Sequence, residues 1–266
     1  AFCYAPLLFY LLLFYLGRSY MSPFYIFILY FAIYSILGWG CEVIYCSLPA
    51  KRFINRGFLN GPYCPVYGIG ALIVLYLLEP YKASPFLVLL LGIFLTSLLE
   101  YITSYMLEKA FHAHWWDYSK RKCNIHGRVC LLNSTLFGIL SLLIIYLVHP
   151  AVMKFILHIP ENALPLIVMG FECLFCIDLV VTLYTVSSLK ARIYSISEIS
   201  QLLKTKHDIT LKPKALRTEL TLYLEQELSK KLSKKNILHQ RLLNAFPHMQ
   251  FIHLEEYVDK LRKRIK

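Results

Sequence analysis

Five stretches of this 266-residue chain, 24–45, 65–78, 86–107, 129–148 and 164–189, are apolar and carry at most two charges each. A peptide backbone inside hydrocarbon finds no water to bond, so such stretches cross a bilayer as helices of about 20 residues. With 58% of residues hydrophobic, the expected fold class is all-α, a polytopic transmembrane helix bundle of five spans. A further apolar stretch, 2–16, is short for a span and has neither the basic start nor the small-residue cleavage site of a signal peptide. It reads either as a short sixth span within an N-terminal segment 1–22, or as sequence ahead of a start at Met21. The bundle proper is expected over 23–189. Function narrows to transport, membrane enzymology or assembly of other membrane proteins.

Lysine and arginine set the orientation, because short basic loops stay cytoplasmic. Lys51, Arg52 and Arg56 follow the 24–45 stretch, and Lys109, Lys120, Arg121, Lys122 and Arg128 precede 129–148. The intervening turns hold one basic residue each, Lys82 and Lys154, and are expected outside. The expected location is therefore the cytoplasmic (inner) membrane of a cell, multi-pass, with the C-terminus in the cytoplasm.

Residues 190–266 change character. They carry 17 Lys and Arg against 8 Asp and Glu, or +9 of the chain's +12. Leu216, Leu220, Tyr223, Leu224 and Leu228 recur at helical spacing, and Leu238, Leu242, Leu243 and Phe246 continue the pattern until Pro247. This predicts a basic, amphipathic, helical cytoplasmic tail that folds back on the bundle, attracts anionic membrane lipid, or docks a partner subunit. No aromatic platform accompanies the charge, so nucleic acid is not an expected partner. The eight cysteines show no disulfide framework. Cys173-x-x-Cys176 falls inside an apolar stretch and reads as packing.

Ionisable residues at bilayer depth are costly and face a protein interior or a wet cavity. Here these are Glu42, Glu100, Glu172 and Asp178. Beside them lie two irregular polar segments. The first contains Asn55-Arg56-Gly57-Phe58-Leu59-Asn60-Gly61-Pro62, whose glycines and proline oppose a regular helix. Irregular backbone at membrane depth survives only where protein buries it or it lines a cavity. The second contains His112, His114, Trp115-Trp116-Asp117-Tyr118 and His126-Gly127-Arg128, with Asn133 and Ser134 just beyond. Trp115, Trp116 and Tyr118 fit an interfacial aromatic belt or a stacking role. Arg128 is placed to pair with Glu42 or Glu100, as is Arg56. The candidate substrate-binding set is Glu42, Arg56, Asn60, Glu100, Trp116, Asp117, His126, Arg128, Asn133 and Asp178. No metal or cofactor signature appears: His112, His114 and His126 lack a partner pair at ligand spacing, and P-loop, dinucleotide and nucleophile-elbow patterns are missing.

Gly38-Trp39-Gly40-Cys41-Glu42-Val43-Ile44-Tyr45, Arg56-Gly57-Phe58-Leu59-Asn60-Gly61-Pro62, Cys64-Pro65-Val66-Tyr67-Gly68, Trp115-Trp116-Asp117-Tyr118-Ser119 and Gly127-Arg128-Val129-Cys130-Leu131-Leu132-Asn133-Ser134 resemble the bacterial membrane-protein family of CmpB-type ABC-transporter permeases. The resemblance covers about 24–189, and Arg241-Leu242-Leu243-Asn244-Ala245-Phe246-Pro247 also fits. It implies a permease-like transport component. With no ATP-binding motif in this chain, an ABC role implies a separate ATPase subunit and either a second membrane subunit or a homodimer. Two other expectations stand beside it. One is a membrane-embedded enzyme on an inner-leaflet lipid, with Glu100 or His126 as base and Arg128 on a phosphate. The other is a non-catalytic membrane scaffold.

Overall fold

The computed structural model describes residues 23–205 and 214–265; the expected short span at 2–16 lies outside the described residues. Helices α1 (Pro23–Ala50), α2 (Pro65–Leu78), α3 (Pro85–Phe111), α4 (Leu131–Leu143), α5 (His149–Leu157) and α6 (Leu164–Thr205) follow one another. A π-helical stretch, Ile144–Val148, joins α4 to α5. Pro150 has no N–H for the preceding turn, and the ladder widens there instead of breaking. Lys154, expected in a loop, therefore belongs to the end of a helix that runs to Leu157.

Four helices are long and apolar enough to cross a bilayer: Pro23–Ala50, Pro85–Phe111, Leu131–Leu157 and Glu161–Leu203. The molecule is an all-α, multi-pass membrane protein. The remaining expected span, 65–78, forms a helix with the expected bounds and is short. Its 14 residues reach about 21 Å at 1.5 Å per residue, against a hydrocarbon layer of about 30 Å. A 3₁₀ turn, Glu79–Tyr81, extends it at its far end.

The described residues form two compact units, one from 23–103 with 118–178, the other from 104–117 with 179–205 and 214–265. In the first, α1 and α2 approach so closely that Gly68 sits on the Ser35 hydroxyl, and a Cβ there would lie 2.7 Å from the Phe31 carbonyl oxygen. Gly38 makes room for Tyr67 in the same way. Small residues at such crossings let helix backbones pack where the hydrophobic effect is absent. Ile26, Leu29, Tyr34, Ala71, Leu75, Val152, Ile156, Leu164 and Val168 form one core cluster. Large apolar side chains point outward, with Phe94 63% and Leu166 75% exposed; this is the surface hydrocarbon requires. Strands β1 (Ala113–His114), β2 (Asn124–Ile125) and β3 (Val129–Cys130) lie between α3 and α4. β2 and β3 make a small antiparallel hairpin whose turn places His126 and Gly127 at φ 52° and 67°.

In the second unit, α7 (Lys214–Ser233), α8 (Ile237–Ala245), β4 (Gln250–Phe251) and α9 (Glu255–Ile265) complete the fold. β4 pairs antiparallel with β1, Phe251 opposite Ala113. Leu189, Ile193, Ile196, Leu242, Met249, Phe251 and Leu261 are fully buried. The helical pattern expected to run on to Pro247 is two helices. Arg192 stops the first, giving Nη2–H bonds to the carbonyls of Lys231 at 2.6 Å and Lys234 at 2.7 Å. The Asn236 side chain caps the second by accepting from His239 N–H at 3.0 Å. Trp115, expected in an interfacial belt, is 2% exposed and edge-on to Phe246 at 5.2 Å. It is a core residue of this unit.

Candidate functional site

Between α1 and α2, residues 51–64 have almost no repeating structure, and side chains supply the order. Asn55 Oδ1 accepts from Trp39 Nε1 at 2.8 Å and from Gly57 N–H at 3.2 Å, while its Nδ2 donates to the Asn60 carbonyl at 2.9 Å. Leu59, 1% exposed, is the apolar anchor. The segment ends with Cys64 N–H on the Ser35 carbonyl at 2.9 Å.

That last bond fixes where the segment meets α1. Ser35 lies 12 residues into α1, about 18 Å along it. Asp178 lies 14 residues into α6, about 21 Å, and α2 itself spans about 21 Å. Each of these distances along its own helix is about 20 Å.

Asp178 holds the tip of the irregular segment, a polar limb. Its Oδ1 accepts Asn60 N–H at 3.0 Å and Asn60 Nδ2 at 2.8 Å; its Oδ2 accepts Gly61 N–H at 2.7 Å and Tyr63 O–H at 2.9 Å. Two successive backbone N–H groups converging on one carboxylate form an anion-binding nest, here with two side-chain donors added.

A second cluster gathers three helices. Glu42 of α1 accepts Tyr67 O–H of α2 at 2.7 Å and lies 3.7 Å from Arg56 Nε. Arg56, one of the two arginines expected to reach it, does so. Glu100 of α3 takes a hydrogen bond from Tyr118, and its Oε2 is buried without a hydrogen-bond partner among the described residues. Burial, then the charges of Glu100 and Glu42, hold the Tyr118 phenol far above its ordinary range. Glu42, Glu100 and Tyr118 thus share one neighbourhood.

Arg128 lies over the Tyr101 ring, 5.3 Å from its centroid, and Nη1 donates to the Tyr101 hydroxyl at 3.2 Å. His126 Nδ1 is 3.1 Å from the same hydroxyl. Asn133 is half-buried in the first turn of α4, and the following residue, Ser134, accepts from Ser97 at 2.7 Å. Trp116 and Asp117 belong to the second unit, half-buried and exposed respectively. Of the expected set, Asn60 and Asp178 form one cluster, Glu42, Arg56 and Glu100 the other, and His126 and Arg128 meet on Tyr101. Asn55, Tyr63, Tyr67 and Tyr118 were not in the candidate set read from the sequence. Their signal was available: tyrosines and amides embedded in Gly- and Pro-broken segments beside intramembrane carboxylates.

Four long apolar helices with a shorter one beside them define the class, a multi-pass helical membrane protein. The chain belongs to the putative ABC-transporter type IV (CmpB) family, which matches residues 29–183. The match takes in every carboxylate of both clusters and stops short of the tail. No curated protein and no solved structure matches the chain.

Proposed function

We propose that this chain is a permease-like component of an ABC-type transport system in the cytoplasmic membrane, with its C-terminus in the cytoplasm and a separate ATPase subunit as energy source. The observation that carries this reading is the irregular polar segment 51–64, tethered to Asp178 of the long apolar helix α6. Such backbone belongs to cavities, and transporters place their sites at broken helices near the midplane. Substrate polar groups are offered Glu42, Arg56 and Glu100 on one side of the limb and the Asn60–Asp178 tether on the other. The reading as an enzyme on an inner-leaflet lipid has less support. It calls for His126 or Glu100 as base beside a phosphate-holding Arg128, whereas Arg128 and His126 meet on Tyr101 and Glu100 faces Tyr118.

Water access tests the proposal. In a cysteine-free background, single cysteines at Ile54 and Phe58, both half-buried, should react with a small charged thiol reagent in membranes, while one at the buried Leu72 should not. If the limb positions resist the reagent from both faces, the segment is a dry structural plug and the transport reading fails.

A further inference from the structure

At the end of α3 the second unit opens a groove of about 480 Å³, lined by Phe111 together with Ser187, Lys190, Tyr194 and Ser195 of α6. The four α6 residues stand at i, i+3, i+7 and i+8 and share one helix face. Lys190 Nζ lies 3.2 Å from His112 Nδ1. An ammonium group only donates, so the imidazole accepts at Nδ1 and carries its proton on Nε2. Both side chains keep N–H donors for a further acceptor. The carboxylate of the same turn, Glu108, faces His114 Nδ1 at 3.4 Å.

The depth of the groove follows from helix lengths. Phe111 is 26 residues beyond Pro85, and Lys190 is 26 beyond Leu164. Charged residues, Lys82 and Glu161, precede both starts. Each count gives about 39 Å, past a hydrocarbon layer of about 30 Å and within the roughly 40–45 Å that includes the headgroups. A helix that begins at one headgroup boundary reaches the opposite headgroups over that length. On the same face of α6, toward the hydrocarbon, Val180 and Tyr184 are 66% and 75% exposed.

We propose that this groove is a binding site for an anionic phospholipid. The headgroup phosphate meets Lys190 and His112, the Ser187 and Ser195 hydroxyls serve its glycerol oxygens, and an acyl chain runs along Tyr194, Tyr184 and Val180. A basic side chain with an aromatic neighbour at headgroup level matches that amphiphile in charge and in apolar track. The site goes beyond the transport reading and stands without it.

Native mass spectrometry of the full chain, purified in detergent and given equal phosphatidylglycerol and phosphatidylcholine, tests it. The protein should retain phosphatidylglycerol preferentially. Lys190→Gln should lower that retention about fivefold, the effect of one basic residue at an anionic surface, and Lys190→Arg should preserve it. Lys120→Gln, an exposed basic residue of the first unit, should change nothing. Equal retention of the two lipids, no loss in Lys190→Gln, or the same loss in Lys120→Gln would each overturn the proposal. Displacement of the lipid by inorganic phosphate alone would do so too, since the free anion would then be the ligand.

Discussion

Asp178 is the residue on which the polar limb depends, because four donors converge on it from a loop more than 100 positions away. Asp178→Ala leaves two backbone N–H groups, an amide and a phenol without their acceptor. The expected cost is about 2–3 kcal/mol, read as a lower unfolding temperature of the detergent-purified protein. Asp178→Asn keeps one acceptor oxygen and should lose roughly half as much. Equal unfolding temperatures for wild type and Asp178→Ala would show that the limb holds without the tether. In the second unit, buried His239 lies between Ser188 Oγ at 2.8 Å from Nε2 and Arg192 Nη1 at 3.5 Å from Nδ1. Burial, then the charges of Arg192 and Lys234, lower its pKa to about 4. The folded imidazole is thus neutral where the unfolded one, with a pKa of about 6.5, takes a proton. Stability from this site is complete above pH 6.5, falls between 6.5 and 4, and changes no further below, by on the order of 3 kcal/mol. Hydrogen exchange of the 237–245 amides should therefore accelerate across that window, and His239→Gln should flatten the dependence. An unchanged pH profile in His239→Gln would assign the effect to other groups.

At the scale of elements, hydrophobic runs announced the helices, since only helices satisfy backbone in hydrocarbon, and their ends were where composition misled. The 129–148 stretch reads as ending near Pro150, yet a π-helical turn absorbs the missing N–H and the helix goes on to Leu157. The 164–189 stretch reads as ending at Lys190, where apolarity stops, but α6 continues to Thr205 because a helix outside hydrocarbon needs only its own ladder. The Asn55–Pro62 segment was recognisable as irregular from its glycines and proline. Its tether was not, because nothing local to Asn60 points to a carboxylate 118 residues later. The close pass of α1 against α2 gives a prediction of its own. Gly68→Ala pushes a methyl group into the Ser35 hydroxyl and the Phe31 carbonyl and should destabilise by about 1–3 kcal/mol. Gly40→Ala in the same helix pair meets nothing within 4 Å and should leave the unfolding temperature unchanged. Equal effects of the two substitutions would mean that α1 and α2 do not pack as described.

Along the chain, basic charge gathers in three places. Lys51, Arg52 and Arg56 begin the limb, Lys120, Arg121 and Lys122 lie between α3 and α4, and 190–266 carries +9 of the chain's +12. The opposite ends of the helices hold Lys82, already paired with Glu79 at 3.1 Å, and Lys154. From the retention of basic segments in the cytoplasm we predict one orientation, with Pro23, Tyr81 and Leu164 outside and the limb entering from the cytoplasm. A substrate reaching Glu42 and Glu100 through the limb would come from the side where an ATPase subunit also acts. Single cysteines in a cysteine-free chain decide this. In intact cells an impermeant thiol reagent should modify a cysteine at Lys82 and spare one at the exposed Lys230; after permeabilisation both should react. The reverse pattern would invert the protein in the membrane. It would put the polar limb on the outer face, away from any cytoplasmic ATPase, and would exclude the ABC-type reading while leaving both clusters and the headgroup groove where they are in the fold.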